Sequence, residues 1–261
     1  MRLLGLALLS ATALMAIDQP QLSQQQVDDI VQKFAAKETA FAQARENYTY
    51  KQSARIQTLD DSGNPTGKWE QVSDIIFSAE GKRTEHVTFA PVNTLRDIIL
   101  TPEDMQDLIS VQPFVLTTSE LPKYLIRYLG KQQVDEIGCY VFAVKPKKLE
   151  GNARYFAGEI WVDDRDLQIV KSYGRGVGTA TKKSDNQFPK FETYREQVDG
   201  KYWFPTYTIA NDTLHFKDND QRIKQTVKYE DYKQFKSDVK ITFGDAVDDK
   251  GDKKPDPPKK P

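Results

Sequence analysis

The chain of 261 residues carries 37 basic and 38 acidic side chains, a formal charge of −1 that leaves no global field to draw nucleic acid or an anionic membrane. Hydrophobic residues make up only 38% while aromatics reach 11%, a balance that suits strands with one face in water. A single cysteine, Cys139, excludes an internal disulfide, and one β-rich domain accommodates this length.

Residues 1–16 read as a signal peptide: Arg2, an apolar run from Leu3 to Leu9 too short to span a bilayer, then small residues, with cleavage expected near Ile17 or Leu14. No cysteine follows to accept a lipid, so the expectation is a soluble, exported, periplasmic protein whose single domain occupies residues 17–243. Ser23 and Gln26 form a capping box, and Val27, Ile30, Val31, Phe34 and Phe41 recur at helical spacing, which predicts an amphipathic helix over 23–45. From Tyr48 the period changes to two. The turn formers of 60–67 then close a first hairpin onto 68–77, and Gly81 turns the chain into a third strand over 83–89.

The strand pattern weakens between Pro91 and Pro122. Thr101-Pro102-Glu103-Asp104 predicts a short helix with Met105, Leu108 and Ile109 on one side, either a connector on the core or a lid over a cavity. Strands resume at 124–129 and at 139–145. In the latter Tyr140, Phe142 and Val144 alternate with Cys139, Val141 and Ala143, so both faces look buried and Cys139 reads as a small hydrophobe.

The segment 155–173 organises the rest, because two strand-like runs flank the turn Asp163-Asp164-Arg165-Asp166. Pairing Val162 with Leu167 sets Ile160 opposite Ile169 and Phe156 opposite Tyr173, and leaves Glu159, Trp161, Gln168 and Ser172 on the other face. Gly174, Gly176 and Gly178 do not make a phosphate loop, since no helix opens after them. Residues 191–198 and 201–209 flank Asp199-Gly200, a strong hairpin signal, and 213–217 with 222–235 read as a last pair. The tail 244–261, rich in Pro, Lys and Asp, is expected to be disordered.

Chemistry-bearing patterns are sparse. His86 and His215 are the only histidines and no second cysteine exists, so no metal or cofactor is expected; the Asp163–Asp166 turn lacks the glycine and distal glutamate of a calcium loop. No serine lies in a nucleophile elbow, and no enzymatic activity is expected.

Two motifs, RYFAGEIWVDDRDLQIVKSYG (154–174) and DGKYWFPTY (199–207), together with the order signal peptide, helix, meander and helical insertion, resemble the LolA/LolB superfamily of lipoprotein carriers and the related RseB-type regulators. The resemblance spans 23–235. It implies a mainly β (α+β) fold: a curved antiparallel sheet forming an unclosed β-barrel, covered by the N-terminal helix and a short lid helix, around an apolar cavity for acyl chains. The implied function is binding or carriage of a lipid or acylated lipoprotein by a monomer, with regulation of an envelope protein as the alternative. Phe156, Ile160, Val162, Leu167, Ile169, Tyr140, Phe142, Val144, Met105, Leu108 and Ile109 are the expected cavity residues. No arginine of the sequence can be matched to the one with which the carriers fasten their lid.

Overall fold

The computed structural model describes residues 22–78, 81–179 and 188–235. The expected signal peptide and tail lie outside them. Helix α1 (Gln24–Arg45) starts where the sequence places it, since Ser23 Oγ accepts from Gln26 N–H while the Gln26 side chain accepts from Ser23 N–H. Its apolar stripe places Phe34, Ala35 and Phe41 out of water.

The strands are β1 (Tyr48–Leu59), β2 (Pro65–Phe77), β3 (Arg83–Phe89), β4 (Tyr124–Val134), β5 (Ile137–Pro146), β6 (Tyr155–Asp163), β7 (Ile169–Val177), β8 (Phe191–Gln197), β9 (Trp203–His215) and β10 (Asp220–Gln234). They form one antiparallel sheet in the order β3-β2-β1-β10-β9-β8-β7-β6-β5-β4. The sheet is open, because β3 and β4 each have a neighbour on one side only. Between these edges the chain leaves the sheet and runs through helix α2 (Pro102–Gln106), a π-helical turn (Asp107–Val111) and a 3₁₀ turn (Leu121–Lys123). Thr101 caps α2 with its own capping box, and Pro102 occupies the first turn as expected.

One face of the sheet is covered. Phe34 packs on Phe142 at 5.4 Å between ring centroids, and Phe114 on Phe156 at 4.5 Å. With Val111, Ile160, Val162, Ile169 and Phe191 they form the main core. The opposite face is not wholly wet, since Cys139, Val141, Trp161 and Val170 make a smaller apolar cluster there.

Three expectations change. In the central hairpin Val162 pairs with Ile169, Ile160 with Ser172 and Phe156 with Gly176. The reason is the turn: Asp163 Oδ1 accepts from the N–H groups of Arg165 and Asp166, Leu167 adopts φ +54°, and Leu167 and Gln168 therefore belong to the turn and not to the strand. A bulge at Val170 then restores alternation, so Ser172 points into the core and Tyr173 out of it. Trp161, assigned to a polar face, is also buried. Residues 213–215 do pair with the start of β10 as expected, but they continue β9 instead of forming a strand of their own, and β10 pairs with β1 on its other side. Finally, Ile109 does not share the buried side of Leu108: it is exposed.

Two buried ion pairs fasten the covering segments. Glu38 of α1 accepts from Ile169 N–H at 3.0 Å and from Arg195 Nη1 at 3.1 and 3.2 Å, while Arg195 Nη2 donates to the Phe114 carbonyl. Arg195 thus ties α1, the segment after the π-helical turn and β8 together. Asp107 binds the Arg154 guanidinium through both carboxylate oxygens, and Gly176 makes room for it: a Cβ there would lie 1.9 Å from Asp107 Oδ2. Gly176 in the GxGxG string is therefore a packing device.

Candidate functional site

The inner face of the sheet is filled unevenly. Phe34 of α1 and Phe114 occupy it over β4 to β8 and Phe41 packs on Phe204, but beside Ile56, Leu214 and Ile223 of β1, β9 and β10 a cavity of about 780 Å³ remains. Ile56, Leu214 and Ile223 line it from these strands, and Phe188, Phe191 and Phe216 add rings. Residues 95–101 supply another part of the wall. This stretch is held at its start by Thr94, whose N–H donates to the Lys68 carbonyl at 2.9 Å, and kinked at Asp97, where φ is +64°. Ile99 in it is 89% exposed, an apolar side chain in water at the margin of an apolar hollow.

Polar groups also border the cavity. Gln112 Oε1 and Gln225 Nε2 in the lining are buried without a hydrogen-bond partner among the described residues, one acceptor and one donor. Asp104 and Asp107 border the same space. Burial raises the Asp104 carboxyl above its ordinary range, and pushes that of Asp107 up to about 6 against the opposing pull of Arg154. A size within the ~300–1,000 Å³ range of small-molecule pockets, apolar walls and a few convergent polar atoms suit a ligand with a long apolar body and a hydrogen-bonding end.

The residues expected to line a cavity are gathered, but mostly elsewhere. Phe142, Val144, Phe156, Ile160, Val162 and Ile169 lie in the packed core against α1, with Tyr140 and Leu167 partly buried on its margin. Leu108 and Met105 pack on Ala54, Val227 and Tyr229. None of these eleven borders the 780 Å³ cavity; Phe156 and Ile109 border a second, smaller hollow. Sequence reasoning passed over residues 95–100, although the apolar run Ile98-Ile99-Leu100 directly before a helix cap, in a stretch without period, was a readable signal. Among the described residues no group of three or more His, Cys, Asp or Glu is arranged to hold a metal ion, and no helix is long and apolar enough to cross a membrane.

No family model and no curated relative matches the sequence. Several solved structures are similar to the chain at low identity. A DUF1329 family protein from Desulfovibrio piger is 11% identical, with 80% of this chain and 92% of that one covered and a TM-score of 0.39. A LolA superfamily protein from Nitrosomonas europaea is 12% identical, with 80% and 93% covered and a TM-score of 0.34. MucB is 14% identical, with 80% and 94% covered and a TM-score of 0.28.

Proposed function

We propose that this chain is an exported, non-enzymatic binding or carrier protein for a lipid, an acyl chain or an acylated lipoprotein, and that the 780 Å³ cavity receives the apolar chain. The observation that carries the reading is this hollow, walled by Ile56, Leu214, Ile223 and Phe191. Each methylene buried there contributes about 0.8 kcal/mol, so an acyl chain needs few polar anchors. The unpartnered amide groups of Gln112 and Gln225 give its polar end something to bond.

A fluorescent fatty-acid probe titrated into the purified protein tests this. The wild type should bind it. Leu214→Glu should stay folded, because water can reach a carboxylate in an open hollow, and should lose the probe. Ile160→Glu should unfold, since Ile160 is 0% exposed in the core. A wild type that binds no probe would overturn the lipid reading. Regulation of an envelope protein is the second reading, supported by Val87 and Phe89, which are 46% and 53% exposed on the free edge strand β3.

A further inference from the structure

A second hollow of about 540 Å³ lies beside residues 109–115, and its chemistry differs from that of the first. One wall is a continuous panel of rings: Phe41 meets Phe204 at 5.2 Å, Phe204 meets Tyr232 at 4.7 Å, and Tyr232 stacks on Tyr50 at 5.1 Å. Two guanidinium groups, Arg45 and Arg83, line the same space. The side chain of Arg45, the last residue of α1, makes no ion pair or hydrogen bond among the described residues, and its Nε is buried. Arg83 spends Nη1 on Glu85 and Nη2 on Gln52, each at 3.1 Å, but its Nε is likewise buried without a partner among the described residues.

Glu85 pairs with Arg83 at 3.1 Å, but among the described residues no acidic group of the lining forms an ion pair with Arg45. Glu120 accepts from Lys123 at 2.9 Å, and the Glu46 carboxylate lies against Gly81. Arg154, which also borders the hollow, is bound to Asp107. A guanidinium does not give up its proton, so a buried one without a counter-ion is costly unless an anion joins it. Burial above all, and then the neighbouring Arg195 cation, push the Arg45 guanidinium down from its ordinary value against the opposing pull of Tyr50, Glu38 and Tyr232.

We propose that this hollow is an anion site, in which Arg45 and Arg83 take the carboxylate or phosphate of an amphiphile whose apolar part lies on the Phe41–Phe204–Tyr232–Tyr50 panel. The guanidinium forks supply directed, charge-assisted hydrogen bonds, and the rings supply apolar area. The site does not share Leu214, Ile223 or the other strand residues of the first cavity, and it stands whether or not that cavity holds a lipid.

Calorimetric titration of the full exported chain with dodecyl phosphate, dodecanoate, dodecanol and inorganic phosphate provides the test. Dodecyl phosphate and dodecanoate should bind at least tenfold more tightly than dodecanol, and Arg45→Gln should remove that advantage while Arg45→Lys keeps part of it. Leu214→Glu, in the other cavity, should leave it intact, which separates failure here from failure of the first reading. Tighter binding of dodecyl phosphate than of inorganic phosphate supports a lipid headgroup as the source of the anion; equal, Arg45-dependent binding of both supports a free anion and removes the amphiphile. Thermal melting of each variant shows that it is folded, and Arg83→Gln offers a second reading should Arg45→Gln fail to fold. Anion binding unchanged in folded Arg45→Gln or Arg83→Gln, or equal affinity for dodecanol, would overturn the proposal.

Discussion

Truncating Ile160 and Leu214 to alanine should separate packed core from cavity wall in a single experiment. Ile160 is 0% exposed and surrounded by the main core, so Ile160→Ala removes buried methyl groups and leaves a void that rigid neighbours cannot collapse. That places it in the upper part of the ~2–5 kcal/mol range for such substitutions, about 4 kcal/mol. Leu214, 7% exposed, already faces the 780 Å³ hollow on one side. Its truncation enlarges an existing space and loses contacts on one side only, which leaves about 1–2 kcal/mol, mainly the transfer term. Equilibrium urea unfolding, followed by circular dichroism and by tryptophan fluorescence so that coincident transitions confirm two-state behaviour, reads both values from the midpoint. Adding a fatty acid at about 100 times its dissociation constant should then raise wild-type stability by about 2.7 kcal/mol. Equal costs for the two substitutions would refute the division of the inner face into a filled and an empty part, and so would a cost below about 1 kcal/mol at Ile160.

The other predictions concern the fastenings and the ends. Arg195→Met should cost about 3–5 kcal/mol by chemical denaturation because it strands Glu38 in the core, and adding Glu38→Met should recover most of that loss. Gly176→Ala should cost about 3 kcal/mol or more, since its Cβ would collide with the Asp107–Arg154 pair; a melting temperature like that of the wild type would show that the pair can move aside. N-terminal sequencing of the exported protein should find the mature chain starting near Ile17 or Leu14, and a chain ending at Phe243 should melt within a few degrees of the full one, given how little apolar area residues 244–261 offer.

Local signals carried much of this fold. The capping box at Ser23 and the spacing of Val27, Phe34 and Phe41 marked α1, and period-two runs with Gly and Asp turns marked nearly every strand. The central register escaped because it depends on Leu167 taking a left-handed conformation, which only the Asp163 side-chain bonds make favourable. Arg195 escaped for another reason: its partners Glu38 and Phe114 are distant in sequence, and nothing in their local context announces them. The expected lining differs from the residues around the 780 Å³ hollow because an apolar strand face reads the same whether a helix fills it or not. Phe34 of α1 fills the part over β5, and α1 contributes no lining residue to the hollow over β1 and β10.

The pairing of β1 with β10 governs how the molecule can be made. Tyr48 finds its partner at Gln234 and Leu59 at Arg222, so a seam inside the sheet joins the earliest strand to the last. A chain emerging N-terminus first can complete the β1–β2–β3 meander while the inner edge of β1 has no neighbour. That edge stays open until almost the whole domain has been delivered. Contacts of such long sequence separation make folding slow and leave a strand edge available for mispairing meanwhile. A chaperone that shields β1 during this interval would therefore raise the yield of folded protein more than one acting on the β4–β8 half, where every strand meets a near neighbour in sequence.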